Sequence, residues 1–162
     1  MTRSVELDAS AARVWGVLGD GFADIGWVRS IRASRLEGDA GVGAVRVCEF
    51  EPSMLVRSGA AKERLVEFDE EARVMAYELL EPASPMEAGG SRWQVTALGQ
   101  GRCRVTVTST VVLRPWVRLL TPALRMMVGR LMSQTFEDLA TRVSVAAPTS
   151  ERTPQPRVQP GR

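Results

Sequence analysis

No histidine occurs in this chain. The commonest general base, the usual pH switch and the commonest zinc ligand are therefore absent, and polar chemistry falls to carboxylates, guanidinium groups and a single phenol. If strands alternate, Arg46, Cys48 and Phe50 share one face of one strand, and Glu63, Leu65 and Glu67 share one face of the next. Either face can point inward. An enclosed Glu63 would bind a ligand hydroxyl or, with burial raising its pKa, deliver a proton. On the outside it is a surface glutamate paired with Lys62 or Arg64. Arg29, Arg32 and Arg46 offer groups that hold a carboxylate or enolate in two parallel hydrogen bonds, unless they are solvated. Tyr77, the only tyrosine, shares a face with Leu79. It can donate to a ligand carbonyl or serve as core with its hydroxyl satisfied.

Two cysteines, Cys48 and Cys103, stand far apart without CxxC spacing. That rules out the sequence signatures of a structural zinc site and of a thioredoxin-like motif, so two buried free thiols, no metal and no cofactor are expected. The formal net charge of +2 with a pI near 8.9 gives no overall electrostatic support for nucleic-acid or anionic-membrane binding. Lys62 is the only lysine among twenty arginines, a bias that reads as coding preference rather than as guanidinium-specific sites. The N-terminal MTRSVELDAS has no hydrophobic signal core, and no run approaches the ~20 apolar residues of a membrane span, so a cytoplasmic protein is expected.

The elements that must position these groups follow from periodicity. Val5 and Leu7 alternate in a first strand, and Ser10 caps a helix over AARVWGVLGD that ends at Gly19 to Gly21. A second short helical turn, FADIGW, follows. Residues 30–37 and 42–51 form a hairpin about Gly38-Asp39-Ala40-Gly41. AAKERLVEF, ARVMAYELL, SRWQVTAL and RCRVTVTSTVVL bring the count to seven strands. Two segments rich in proline and glycine, 52–59 and 83–89, carry apolar tips at Met54, Leu55 and Met86 and read as gate loops. Thr121-Pro122 starts a long helix, in which Leu124, Val128, Leu131, Thr135, Leu139 and Val143 form an apolar stripe widened by Met126, Met127, Met132 and Phe136. Beyond Ala147 the proline-rich end has almost no apolar content, so residues 1–146 are expected to fold as one domain and 147–162 to form a disordered tail.

A curved antiparallel sheet with one apolar concave face must cover that face, and the long helix is the available cover. This order of elements, with VWGVLGD, GWVRSI, GVGAVRV, ERLVEFDEEARVMAYELLE and TPALRMMVGRLMSQTFEDLATRV, resembles the START/Bet v 1-like (SRPBCC) superfamily, in particular bacterial polyketide cyclase/dehydrase-like proteins. The resemblance covers about residues 3 to 144. It implies an α+β helix-grip fold: a seven-stranded curved antiparallel sheet wrapped around a long C-terminal helix, two short helices after strand one, and a deep apolar cavity between sheet and helix. The ERL stretch also resembles that of abscisic-acid receptors, whose matching glutamate reaches the cavity, which puts Glu63 inside. The same receptors carry an anchoring lysine near the position of Arg29 to Arg32.

One fold serves carriers, receptors and cyclases, so function must be argued from the site. The first expectation is a carrier or sensor enclosing a hydrophobic small molecule, lipid or polyketide-like. Its lining would be Trp27, Arg29, Arg46, Phe50, Glu63, Tyr77, Leu79, Trp93, Met127, Leu131 and Thr135, where plain core packing is the alternative for the apolar members. The second is a polyketide cyclase, aromatase or dehydratase in which Glu63 with Tyr77 or an arginine transfers protons. The third is an interaction module contacting a partner through Met54, Leu55 and Met86.

Overall fold

Alternating apolar residues and well-placed turns give seven strands and two helices in the computed structural model, which describes residues 1–19, 22, 24–51, 59–81, 86–116 and 121–145, the side chain of Leu124 apart. The strands are β1 (Thr2–Leu7), β2 (Ile31–Glu37), β3 (Val45–Phe50), β4 (Ala60–Asp69), β5 (Val74–Leu79), β6 (Met86–Gly99) and β7 (Arg102–Leu113). The helices are α1 (Ala11–Gly19) and α2 (Thr121–Val145). All seven strands form one antiparallel sheet in the order β1-β7-β6-β5-β4-β3-β2, so β2 to β7 run as successive neighbours and β1 closes onto β7. This is the helix-grip arrangement that the sequence predicts.

Local chemistry explains the turns. Ser10 accepts from the Arg13 N–H at 3.3 Å and starts α1. Asp69 accepts from the Ala72 N–H at 2.7 Å, holding the β4–β5 turn, where Arg73 takes φ 51°. Gly99 and Gly101 supply the positive φ angles that close the β6–β7 hairpin. Of the second short helix expected after α1, Phe22 stands in a 3₁₀ turn while residues 20, 21 and 23 lie outside the described residues, and turns follow, with Val28 N–H bonded to Ile25 O and Ile31 N–H to Val28 O.

The core lies between the inner face of the sheet, α1 and the C-terminal half of α2. Val14 and Trp15 from α1 join Trp93, Val105 and Val107 from the sheet and Phe136, Leu139 and Val143 from α2. Trp93 meets Phe136 edge-on at 6.3 Å between ring centroids. Nearer its start, α2 passes over β1, where Gly129 makes room for Arg3: a Cβ there would stand 2.6 Å from Nη2. Among the described residues, no helix is long and apolar enough to cross a membrane.

The expected gate loops are altered or undescribed. Met86 opens β6 opposite Leu113 and is not a loop tip, because β6 pairs with β7 from five residues before Ser91, through the glycines at 89 and 90. Met54 and Leu55, and the tail beyond Val145, lie outside the described residues.

Candidate ligand-binding site

Antiparallel register carries one row of inward side chains across most of the sheet. Arg46 of β3 pairs with Glu63 of β4, Glu63 with Leu79 of β5, and Gly89 of β6 with Val111 of β7. Leu79 and Gly89 meet in this row, since a Cβ on Gly89 would come within 2.8 Å of Leu79 Cδ1. The adjacent inner row holds Leu65, Tyr77, Ser91 and Ser109.

The first row has a buried ionic end. Arg46 Nε and Nη2 both donate to Glu63 Oε2, at 2.9 and 2.5 Å, and Arg46 Nη1 donates to the Phe22 carbonyl at 2.8 Å. Cys48 Sγ lies 3.6 Å from the same carboxylate oxygen. The Arg46 guanidinium also stacks 4.4 Å from the Phe22 ring centroid and 5.3 Å from that of Tyr77. Arg46 is only 2% exposed, yet it does not lose its charge. Burial is the largest single influence and disfavours the cation, but the charge of Glu63, the smaller influences of Tyr77 and Cys48 and the hydrogen bond to Glu63 together outweigh it and hold Arg46 above the usual arginine value.

The neighbouring acids also move up, which for them favours the neutral form. Burial first, and then the charge of Glu63, pushes the Cys48 thiol up to about 12. The same two causes push the Tyr77 phenol up to about 12, against a smaller opposing pull from Trp93 and Ser91. Tyr77 keeps some exposed surface as a residue, but its hydroxyl end is enclosed. Both groups are hydrogen-bond donors at neutral pH. Trp27 and Trp93 add indole N–H groups that are buried and without an acceptor in hydrogen-bond geometry among the described residues.

The other end of the row is apolar and partly exposed. Ser109 Oγ reaches Met132 Sδ at 3.8 Å, bridging β7 and α2. One step further along β7, on the same face, Val111 is 39% exposed. On α2 the i, i+4 row Met127, Leu131, Thr135, Leu139, Val143 is buried at Thr135, Leu139 and Val143, but Met127 and Leu131 are 40% and 41% exposed. The sheet and the first turns of α2 thus leave apolar side chains of their inner rows partly exposed.

Several expected residues have other positions. Arg29 is not an inner anchor: its backbone N–H and its Nε bind the Asp138 carboxylate at 2.9 and 2.7 Å, and its guanidinium is exposed beside Glu137. That contact ties the turn at 24–30 to α2. Arg32 pairs with Glu49 on the surface. Glu67 leaves the face of Glu63 and Leu65 because a bulge between Leu65 and Glu67 inverts the alternation, and it pairs with Arg92 outside. Phe50 is half-buried at the end of β3, beside Ile31. Sequence reasoning did not assign Phe22 or Asp138 to this region. Phe22 contributes a backbone carbonyl and a ring face, for which no sequence signal exists, while Asp138 was recognisable as a carboxylate one residue from the buried Leu139.

Two clefts bounded by described residues lie elsewhere, on the outer flank between β1 and α2. One of about 470 Å³ is lined in part by Arg3, Glu6, Phe136 and Glu137, and one of about 450 Å³ by Asp8, Arg13, Val143 and Ser144. Neither touches Glu63, so the chemistry described above does not reside there. No cluster of candidate metal ligands occurs among the described residues.

The architecture is shared with solved structures. An aromatase/cyclase from Streptomyces sp. R1128 is similar over 93% of this chain and 96% of its own, at 19% identity and a TM-score of 0.77. Norcoclaurine synthase from Thalictrum flavum, in complex with a transition-state analogue, is similar over 90% of this chain and 93% of its own, at 19% identity and a TM-score of 0.70. A protein from Thermobifida fusca solved in solution is 28% identical over 90% of this chain and 93% of its own, with a TM-score of 0.74. Among curated proteins, none matches the chain. A family model described as "Polyketide cyclase / dehydrase and lipid transport" matches residues 1–144, a description that supports a hydrophobic-ligand-binding or cyclase role. With a match over almost all of its folded part, the chain belongs to the polyketide cyclase / dehydrase and lipid transport family.

Proposed function

We propose that this protein encloses a hydrophobic small molecule, lipid or polyketide-like, between the inner face of its sheet and α2, as a carrier or sensor. The observation that carries the reading is the exposure of Val111, Met127 and Leu131, which stand on inward-facing or buried rows yet keep about 40% of their surface open to solvent. Apolar surface left open there gains about 25 cal/mol per Å² when a ligand covers it, before the costs of association. The polar end of the row orients the ligand. Among the described residues nothing donates to Glu63 Oε1, so that oxygen is the acceptor for a ligand hydroxyl, while the Trp27 and Trp93 N–H groups supply donors.

A second reading, a cyclase or dehydratase acting on a poly-ketone chain, draws on the same cluster. Glu63 would accept a proton from a methylene flanked by ketones, and the protonated Tyr77 phenol would hydrogen-bond the oxygen on which charge develops. Native mass spectrometry of the purified chain, with extraction of what it holds, tests enclosure. Turnover of a poly-ketone substrate by Glu63→Gln separates the readings: a cyclase loses turnover, whereas a carrier loses only affinity. Unchanged affinity and unchanged activity would remove Glu63 from both schemes.

A further inference from the structure

Charge is unevenly distributed along this nearly neutral chain. From Val111 through Phe136 there is no acidic residue, and Arg114, Arg125 and Arg130 in that stretch are exposed and form no ion pair among the described residues. Elsewhere, most exposed arginines have partners: Arg29, Arg32, Arg35, Arg64, Arg92, Arg102 and Arg104 each contact a carboxylate. The same stretch holds the most exposed aromatic side chain, Trp116 at 70%, with Met126 at 59% and Val112 at 44%. Met126 and Arg130 are i, i+4 neighbours on α2. Trp116 lies five residues before Thr121, within roughly 17 Å of it by chain reach.

We infer that the end of β7 and the first turns of α2 form a docking face for an anionic lipid surface. The combination selects that partner. Unpaired guanidinium groups match a negative surface potential, and their stems lie along apolar surface while the heads remain at the phosphate level. An indole with an exposed N–H and an unbranched methionine are suited to the boundary between headgroups and acyl chains. A soluble acidic protein would also satisfy the arginines, and the vesicle test below separates it from a lipid surface. The face adjoins Val111, Met127 and Leu131, so docking would set the partly exposed end of the sheet–helix gap against the bilayer. The inference does not depend on which ligand occupies that gap.

Co-sedimentation of the full chain with vesicles, followed by tryptophan emission, is the test. Trp15 and Trp93 are buried and Trp27 half-buried, so a change of environment on docking is read chiefly at Trp116. Phosphatidylglycerol–phosphatidylcholine vesicles are expected to bind the chain at least about tenfold more tightly than phosphatidylcholine alone, with a blue shift and with loss at high salt. Trp116→Ala should abolish the shift, and Arg125→Glu combined with Arg130→Glu should lower binding by about tenfold or more with an unchanged melting temperature. Equal binding to both vesicle types, no binding to either, or full binding by the charge-reversed variant would overturn the inference. Equally tight binding to soluble polyglutamate without an emission shift would overturn it in favour of an acidic protein partner.

Discussion

Arg46 and Glu63 are register partners on β3 and β4, and two nitrogens of the guanidinium converge on one carboxylate oxygen, Oε2, with both side chains almost withdrawn from solvent. The pair neutralises itself in the interior beside Cys48 and Tyr77, and among the described residues nothing donates to the second oxygen of Glu63. Its value to folding and its value to binding are therefore separable.

Breaking the pair from one side should be far worse than removing both partners. Arg46→Ala strands a buried carboxylate and opens space beside Phe22 and Tyr77, which is expected to cost about 3–5 kcal/mol. The double replacement Arg46→Met with Glu63→Leu should recover most of that loss. Urea unfolding of the two singles and the double measures this, and additive losses would contradict the account.

Position on α2 should decide what a substitution does. Leu139 is fully buried, so Leu139→Ala should destabilise the fold by about 2–5 kcal/mol. Leu131→Ala, two turns earlier and 41% exposed, should stay within about 1 kcal/mol while weakening an apolar ligand. Thermal unfolding, with displacement of a hydrophobic fluorescent probe, separates the two effects.

Alkali should destabilise the protein from about pH 9 upward. The thiol of Cys48 is raised from 9.0 to about 12 and the phenol of Tyr77 from 10.0 to about 12, first by burial and then by the charge of Glu63. The unfolded chain releases these protons first, so ν_U falls below ν_N and stability declines as pH rises. The contribution is complete below about pH 9 and gone once pH passes about 12. Cys48→Ala should move the onset toward the Tyr77 window above pH 10. A melting temperature that rises between pH 9 and 10 would contradict this.

The fold was legible where one physical rule dominates. Cys103 to Ser109 alternates without interruption, and β7 is a strand buried on one face only. Arg46 and Glu63 could be placed on candidate faces because strand alternation holds up to Leu65. It then fails at the bulge, which nothing in the residues announces, and Glu67 turns outward. Arg29 was misplaced for a different reason. Its partner Asp138 is 109 residues away, and a guanidinium suited to a ligand carboxylate suits a protein carboxylate equally well. The stripe on α2 marked a buried face correctly for Leu139 and Val143, but periodicity does not tell where along a helix the cover ends.

Asp138 should matter more than Arg29. The buried carboxylate accepts from both the backbone and the side chain of Arg29, so Asp138→Ala leaves a backbone N–H without its partner and should cost about 1–3 kcal/mol. Arg29→Ala removes only the half-exposed side-chain contact and should cost less. Equal losses in denaturant unfolding would show that the backbone bond adds nothing.

The most direct test of the central claim is native mass spectrometry of the full chain, as purified and after incubation with a panel of fatty-acyl lipids and aromatic poly-ketones, run beside Leu131→Glu. Enclosure predicts a one-to-one apolar adduct on the wild-type chain and its loss in the variant, with both proteins folded by circular dichroism. A bare mass throughout, or an adduct that survives Leu131→Glu undiminished, would contradict a ligand space between the sheet and α2.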